Sequence, residues 1–188
     1  TSTLVDPVSK EPDFKFAAVE VRKFVKPMER IIVVGAGAAA YRFIQSHRAL
    51  NERDEIRVFS KEKDPFYNRV LLPEYVNDTL SWERLQKFQA GEFESMNVIL
   101  HGENEIVMIN RTQQYVVDVR GKKYSYDKLV LATGSRAHIP KEAPVHLPGV
   151  FTMRTRNDAD SLKKFLKPGG HVVIIGGGLL GLELAASL

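Results

Sequence analysis

Apolar residues are distributed along the chain in two periodicities. Residues 31–34, IIVV, form a short β-branched run, and EIRVFS at 55–60 forms another of similar length, the pattern of strands in a buried parallel sheet. Between them, AAAYRFIQSHRAL sets Tyr41, Ile44 and His47 or Arg48 three and four residues apart, which predicts a helix with these side chains near one another on its surface. Strand, Gly35-Ala36-Gly37 turn, helix and strand together make a βαβ unit. SWERLQKFQAGEF predicts a second helix. NVILHG, EIVMIN, QYVVDVRG and KKYSYD then read as short strands separated by turn residues, and predict a small antiparallel meander inserted into the α/β frame.

KLVLATGS reads as a returning strand, and Pro140, Pro144 and Pro148 make 137–149 a connector. NDADSLKKFLKPGG predicts a helix capped by Asn157 or a neighbour, with acids in its first turn, lysines in its last and glycines after it. HVVIIGGGLLGLELAASL then supplies an apolar strand, a glycine turn and the start of a helix. The expected fold class is α/β: a Rossmann-like parallel sheet with helices, an inserted antiparallel meander, and the opening of a second Rossmann unit. Residues 1–29, interrupted by Pro7 and Pro12, read as an N-terminal extension or linker, with a short strand expected in KFAAVEVRKFV.

Composition narrows the function more than the fold. The 188 residues are 44% hydrophobic and 27% charged, as in a globular domain. The net charge of +4 is a mild excess, no signature of nucleic acid, and suits a solvated surface or an anionic cofactor. No apolar run approaches the ~20 residues that cross a bilayer. No signal-peptide core opens the chain, so the expected setting is cytoplasmic, without a membrane partner. The first residue is not Met, which fits a piece of something longer. The absence of cysteine excludes a disulfide, a redox-active thiol pair, and Cys-ligated iron–sulfur or zinc sites within these residues. His47, His101, His138, His146 and His171 show no metal-ligand spacing, so no metal site is expected, and no side chain pairs with a base as a catalytic nucleophile.

Gly35-x-Gly37-x-x-Ala40 has the spacing of a dinucleotide-binding turn. The first glycine allows the tight turn, the second lets a pyrophosphate approach the backbone, and the third position needs a small residue for helix–strand packing. The following helix offers free N–H groups at its start. The strand–turn–helix context is what gives the pattern weight. An acid near residue 61 is needed for the adenosine ribose. Lys61 stands there and Glu62 follows it, so Glu62 is the candidate, with Lys61 as a phosphate contact or both as solvated turn residues.

IIVVGAGAAAYRFIQ, VFSKEKDPFYNRVLLPEY, YDKLVLATGSRAHIP and VVIIGGGLLGLELAASL, in that order and spacing, resemble the FAD- and NAD(P)H-dependent pyridine-nucleotide oxidoreductases. YRFIQ, YNRVLL and ATGSRAHIP resemble in particular the flavin module of assimilatory nitrite reductase large subunits. The resemblance covers residues 30–188 and implies an FAD-binding domain at 30–150, then a connector and the start of an NAD(P)-binding domain at 151–188. It implies that Gly35, Gly37, Ala38 and Ala40 hold the FAD pyrophosphate, Glu62 the adenosine ribose and Arg69 the phosphates or nearby backbone. Ile106 would meet the adenine through its backbone, and Ala132, Thr133, Gly134 and Arg136 would lie against the cofactor. The small residues ending LVLATG also make sense physically, because they let the chain approach a ligand at the carboxyl edge of a parallel sheet. Ferredoxin-reductase relatives carry a lysine where this chain has Glu74, a departure from that branch.

The second turn resembles the NAD(P)H site of the same family, with Gly176, Gly178, Gly181 and Glu183. Residues 5–24, through Asp6, Pro7, Ser9, Lys10, Pro12, Lys15, Ala18 and Val19, resemble the C-terminal tail of molybdenum-dependent assimilatory nitrate reductases. The function these likenesses imply is an electron-input module. NAD(P)H would reduce FAD, and electrons would pass to metal-centre domains of the same chain or of a partner subunit, for nitrate or nitrite. The rival readings are a ferredoxin- or rubredoxin-type reductase flavin domain, a non-catalytic nucleotide-binding fragment, and an NAD(P)-only domain.

Overall fold

The computed structural model describes residues 27–64, 66–88 and 91–188. The strand expected in KFAAVEVRKFV and the likeness at residues 5–24 lie outside the described residues. The first apolar run forms β1 (Arg30–Val34), with Ile31, Ile32 and Val33 all buried. It feeds α1 (Ala38–Arg48) and then β2 (Glu55–Phe59). A 3-10 turn at Arg69–Leu71 leads into three short helices, α2 (Leu72–Val76), α3 (Trp82–Leu85) and α4 (Glu92–Ser95). The strands β3 (Val98–His101), β4 (Ile106–Asn110), β5 (Tyr115–Asp118), β6 (Lys123–Ser125) and β7 (Lys128–Leu131) follow, and α5 (Arg156–Phe165) and α6 (Leu179–Ser187) complete the fold.

Two sheets result. The larger is wholly parallel, in the order β3-β2-β1-β7, and the smaller is antiparallel, in the order β4-β5-β6. Side chains alternate across a strand, so the larger sheet presents different residues to its two sides. Ile31, Val33, Ile56 and Val58 pack with Ala40 and Ile44 of α1 and with Phe66 and Phe93. Ile32 and Phe59 pack with Val116, Tyr124 and Tyr126 of the meander region. A third cluster joins Tyr67, Leu72, Val76, Trp82 and Leu85 to Ala159 and Leu162 of α5, with Leu184 of α6 at its margin. Two buried acids tie the loops down. Asp54 accepts from the Glu29 amide at 2.9 Å and lies 2.8 Å from His47 Nε2. Asp118 accepts from the amides of Arg120 and Lys122 and from the side chains of Asn104 and Tyr124, closing the β5–β6 turn.

The fold corrects five sequence expectations. NVILHG is no part of the meander: β3 pairs parallel with β2 at the edge of the larger sheet. SWERLQKFQAGEF forms no continuous helix. After Leu85 the chain turns extended at Gln86 (ψ 138°), which bridges to Tyr67, while the Lys87 amide donates to the Phe66 carbonyl at 2.9 Å. Tertiary pairing thus competes with helix continuation and wins. The cap of α5 is Thr155 rather than Asn157, in a reciprocal box with Asp158. Ile44 does not lie on the surface but is fully buried against the sheet. Residues 171–176 form no strand, because a strand exists only with a paired neighbour and none of the described strands lies beside this run.

Candidate nucleotide-binding site

The turn after β1 is held from three directions. The Gly35 amide donates to the Phe59 carbonyl, the Ala132 amide to the Val34 carbonyl and the Phe66 amide to the Ala36 carbonyl, each at 2.8 Å. Gly35 has φ +107°, and a Cβ there would sit 2.1 Å from the Ala132 carbonyl oxygen. Glycine is therefore required twice over, by its backbone torsion and by the close passage of the chain leaving β7.

Gly37 differs. Its φ of −100° and ψ of −171° are open to any residue, and a Cβ there would meet nothing within 4 Å. No local constraint explains this glycine, but the space it leaves lies at the N-terminus of α1. The first-turn amides of a helix have no intrahelical acceptors. Here no side chain caps them and no acid stands in the first turn. Ala38 and Ala39 are exposed beside this opening, while Ala40 is fully buried against the sheet, as the third position of the pattern requires. Free amides, a positive helix end and an open approach fit a pyrophosphate.

Glu62 lies just past the end of β2, half-buried, and forms a two-pronged ion pair with Arg69. Arg69 Nη2 is 2.7 Å from Oε1 and Nη1 is 3.3 Å from Oε2. The two residues expected to touch different parts of a dinucleotide thus hold each other. Tyr67, which sequence reasoning passed over, joins them. Its hydroxyl donates to Glu62 Oε2 at 2.6 Å and accepts from Arg69 Nη1 at 2.5 Å and from the Arg156 amide at 3.0 Å. Arg69 Nη1 also donates to the Arg154 carbonyl at 3.1 Å. Arg156 pairs with Asp64 at 2.8 Å and lies over Trp82, 4.0 Å from the ring centroid. Tyr67 opens the YNRVLL stretch, so it carried a signal. Arg154 and Arg156, more than eighty residues away, carried none.

The other predicted residues fall around this frame. Ala132 passes under Gly35, and Thr133 and Gly134 are exposed beyond it. Gly134 has φ +68° and faces the Arg154 guanidinium, whose Nε donates to the Ser135 carbonyl at 3.3 Å. Arg136 is exposed and lines a shallow hollow with Ala137, His138 and Ile139. Ile106 opens β4 opposite Asp118 and is half-buried. Lys61 is exposed and pairs with Glu105 at 3.4 Å.

The second glycine turn shares with the first a positive φ at its first glycine and an open glycine at the helix start, but its tight contact is at the third glycine. Gly176 has φ +117°, Gly178 caps α6 with open space around it, and a Cβ on Gly181 would lie 2.4 Å from the Gly176 carbonyl oxygen. Glu183 is half-buried on α6, which packs against α2, and Asn77 Nδ2 donates to the Ser187 carbonyl at 2.9 Å.

Comparison with known proteins identifies the family. The profile of one family, described as pyridine nucleotide-disulphide oxidoreductase, matches residues 29–188. The chain is 32% identical over 161 residues to the assimilatory nitrate reductase electron transfer subunit of Bacillus subtilis, covering 85% of this chain and 21% of that protein. It is 34% identical over 160 residues to the nitrite reductase [NAD(P)H] large subunit of Klebsiella oxytoca, covering 84% of this chain and 17% of that one. The solved NADH:rubredoxin oxidoreductase of Clostridium acetobutylicum superposes with a TM-score of 0.74 at 31% identity, over 85% of this chain and 41% of that one. The chain thus spans between about a sixth and two fifths of the length of these relatives. The expected Rossmann-like fold and the expected pairing of FAD with NAD(P)H agree with this family.

Proposed function

The chain belongs to the pyridine nucleotide-disulphide oxidoreductase family, and on that premise we propose that it is the flavin-bearing part of an NAD(P)H-dependent electron-input module for nitrate or nitrite reduction in the cytoplasm. One observation carries the FAD assignment. At the end of β1 the chain has a glycine that the fold demands, Gly35, followed by Gly37, whose open side faces the amides of a helix start that no side chain caps.

In this reading residues 30–150 form the FAD-binding domain, residues 151–188 the connector and the start of the NAD(P)-binding domain, and residues 1–29 a linker. The amides around Gly37, Ala38 and Ala40 receive the pyrophosphate. Glu62 accepts from the adenosine ribose and Arg69 turns to the phosphates. Ile106 offers its backbone to the adenine, and Ala132, Thr133, Gly134 and Arg136 border the cofactor. Gly176, Gly178, Gly181 and Glu183 serve the nicotinamide nucleotide. FAD, when bound, accepts a hydride and releases single electrons, and the protein's part is to bind and orient it. These residues hold no cysteine, so no thiol pair among them takes up the electrons. They pass instead to metal-centre domains, in the same chain or in a partner.

The relatives from B. subtilis and K. oxytoca support nitrate or nitrite as the destination. The C. acetobutylicum structure supports a second reading, delivery to a small rubredoxin-type carrier. Titration with FAD, followed by quenching of flavin fluorescence, tests the site. Saturable uptake at one FAD per chain is the expected result, and no uptake overturns the assignment. In the parent protein, FAD-dependent NAD(P)H oxidation that reduces nitrite or nitrate, and leaves added rubredoxin oxidised, separates the two destinations.

A further inference from the structure

A carboxylate just past a strand end, in a turn rich in charged residues, has many orientations open to it, and Glu62 is held in one. Tyr67 is what holds it. Tyr67 is buried, its ring packs 5.0 Å from that of Trp82, and the Arg69 guanidinium lies 4.4 Å from its centroid. A phenol offers one donor and two acceptor sites. All three are used here: the proton goes to Glu62 Oε2, and the oxygen receives Arg69 Nη1 and the Arg156 amide. Burial, followed by the hydrogen bond to Glu62, pushes the Tyr67 pKa up, so its hydroxyl remains a donor. The Arg156 amide belongs to the first turn of α5, and the Thr155–Asp158 box fixes that turn.

The two contacts to Glu62 are not equivalent. Arg69 is a long side chain with other acceptors within reach, and on the reading above it turns to the phosphates. Tyr67 is locked by packing and by the α5 amide. With Arg69 withdrawn, Oε2 stays bound to Tyr67 and Oε1 is free to accept from a sugar hydroxyl. We propose that Tyr67 is a positioning residue for the adenosine ribose, setting the aim of Glu62 and through it the preference for a ribose over a deoxyribose. The ribose site is then built from two stretches far apart in sequence, 62–69 and 154–156. This inference rests on the reading that FAD occupies the first turn.

The experiment titrates the chain with FAD, ADP and 2′-deoxy-ADP, for the native protein and for Tyr67→Phe, Glu62→Gln and the double variant. The native chain should prefer ADP to 2′-deoxy-ADP by about tenfold or more, the usual strength of a hydrogen bond to a charged group. Tyr67→Phe should reduce that preference to about twofold, and should cost nothing further when added to Glu62→Gln, because it acts through that carboxylate. Equal loss of affinity on both backgrounds, or an undiminished preference in Tyr67→Phe, overturns the proposal. So does a native chain that binds ADP and 2′-deoxy-ADP alike. Failure of the native chain to bind FAD and ADP at all refutes the underlying site instead. If Tyr67→Phe does not fold, a ring-fluorinated tyrosine at position 67 keeps the shape and makes the hydroxyl more acidic. Burial and Glu62 keep that hydroxyl protonated at neutral pH, so as a stronger donor it should hold Glu62 at least as firmly and keep the native preference, and a preference reduced to about twofold overturns the proposal.

Discussion

Alanine at Gly35 and valine at Gly37 should fail in opposite ways, although the two sites are two residues apart. Gly35→Ala puts a Cβ on a residue at φ +107°, 2.1 Å from one backbone atom and 2.6 Å from the next. The torsion costs ~1–3 kcal/mol, and the overlap another ~1–3 kcal/mol as β7 is forced away from β1. Together they remove about 2–6 kcal/mol from a total of roughly 5–15. At ~2–4 °C per kcal/mol for a chain of this size, the melting temperature should drop by about 5–20 °C. Gly37→Val occupies an allowed torsion in open space and loses only a modest capping preference, so its melting temperature should stay within a few degrees. Its side chain fills the approach to the α1 amides, and FAD affinity should fall at least ~100-fold, about 2.7 kcal/mol. Circular dichroism melts and fluorescence titrations read the two effects separately. A Gly35→Ala protein that melts within 2 °C of the native one, or a Gly37→Val protein that binds FAD normally, refutes the reasoning.

Thr155→Ala breaks the reciprocal box at the start of α5 and should cost about 1 kcal/mol, read as a lower urea midpoint. Ile44→Ala empties a fully buried position between α1 and the sheet and should cost ~2–5 kcal/mol by the same measurement. Hydrogen bonds from Arg30 hold the Asp127 pKa at about 2, against 3.8 for the free group. Its folded pKa is depressed, so the stabilisation is present above pH 3.8 and lost as pH falls towards 2. Urea midpoints across that window should decline less steeply for Asp127→Asn. Burial, then the charges of Arg57 and Lys122, depress the His101 pKa below 6.5. Stability from this residue is present above pH 6.5 and lost below it, and His101→Gln should flatten that part of the profile.

Local periodicity determined much of this protein. β1, α1 and β2 follow from a β-branched run, a helical spacing and a second run, and Gly35 and Ala40 were legible because their requirements are torsional and steric. The position of Glu62 just past the second strand followed from the same periodicity. Tertiary structure decided the rest. NVILHG carries the same pattern as the meander strands, and only the free edge of β2 made it a parallel strand. SWERLQKF has helical character, but the chain at 66–68 offered Gln86 and Lys87 backbone partners and ended the helix. Tyr67 became the centre of the hydrogen-bond network around Glu62 and Arg69 through Arg154 and Arg156, which approach it only once α5 packs on α2 and α3. A sequence encodes the torsions and faces of its own segments, whereas the choice of partner depends on which surfaces folding leaves adjacent and unpaired.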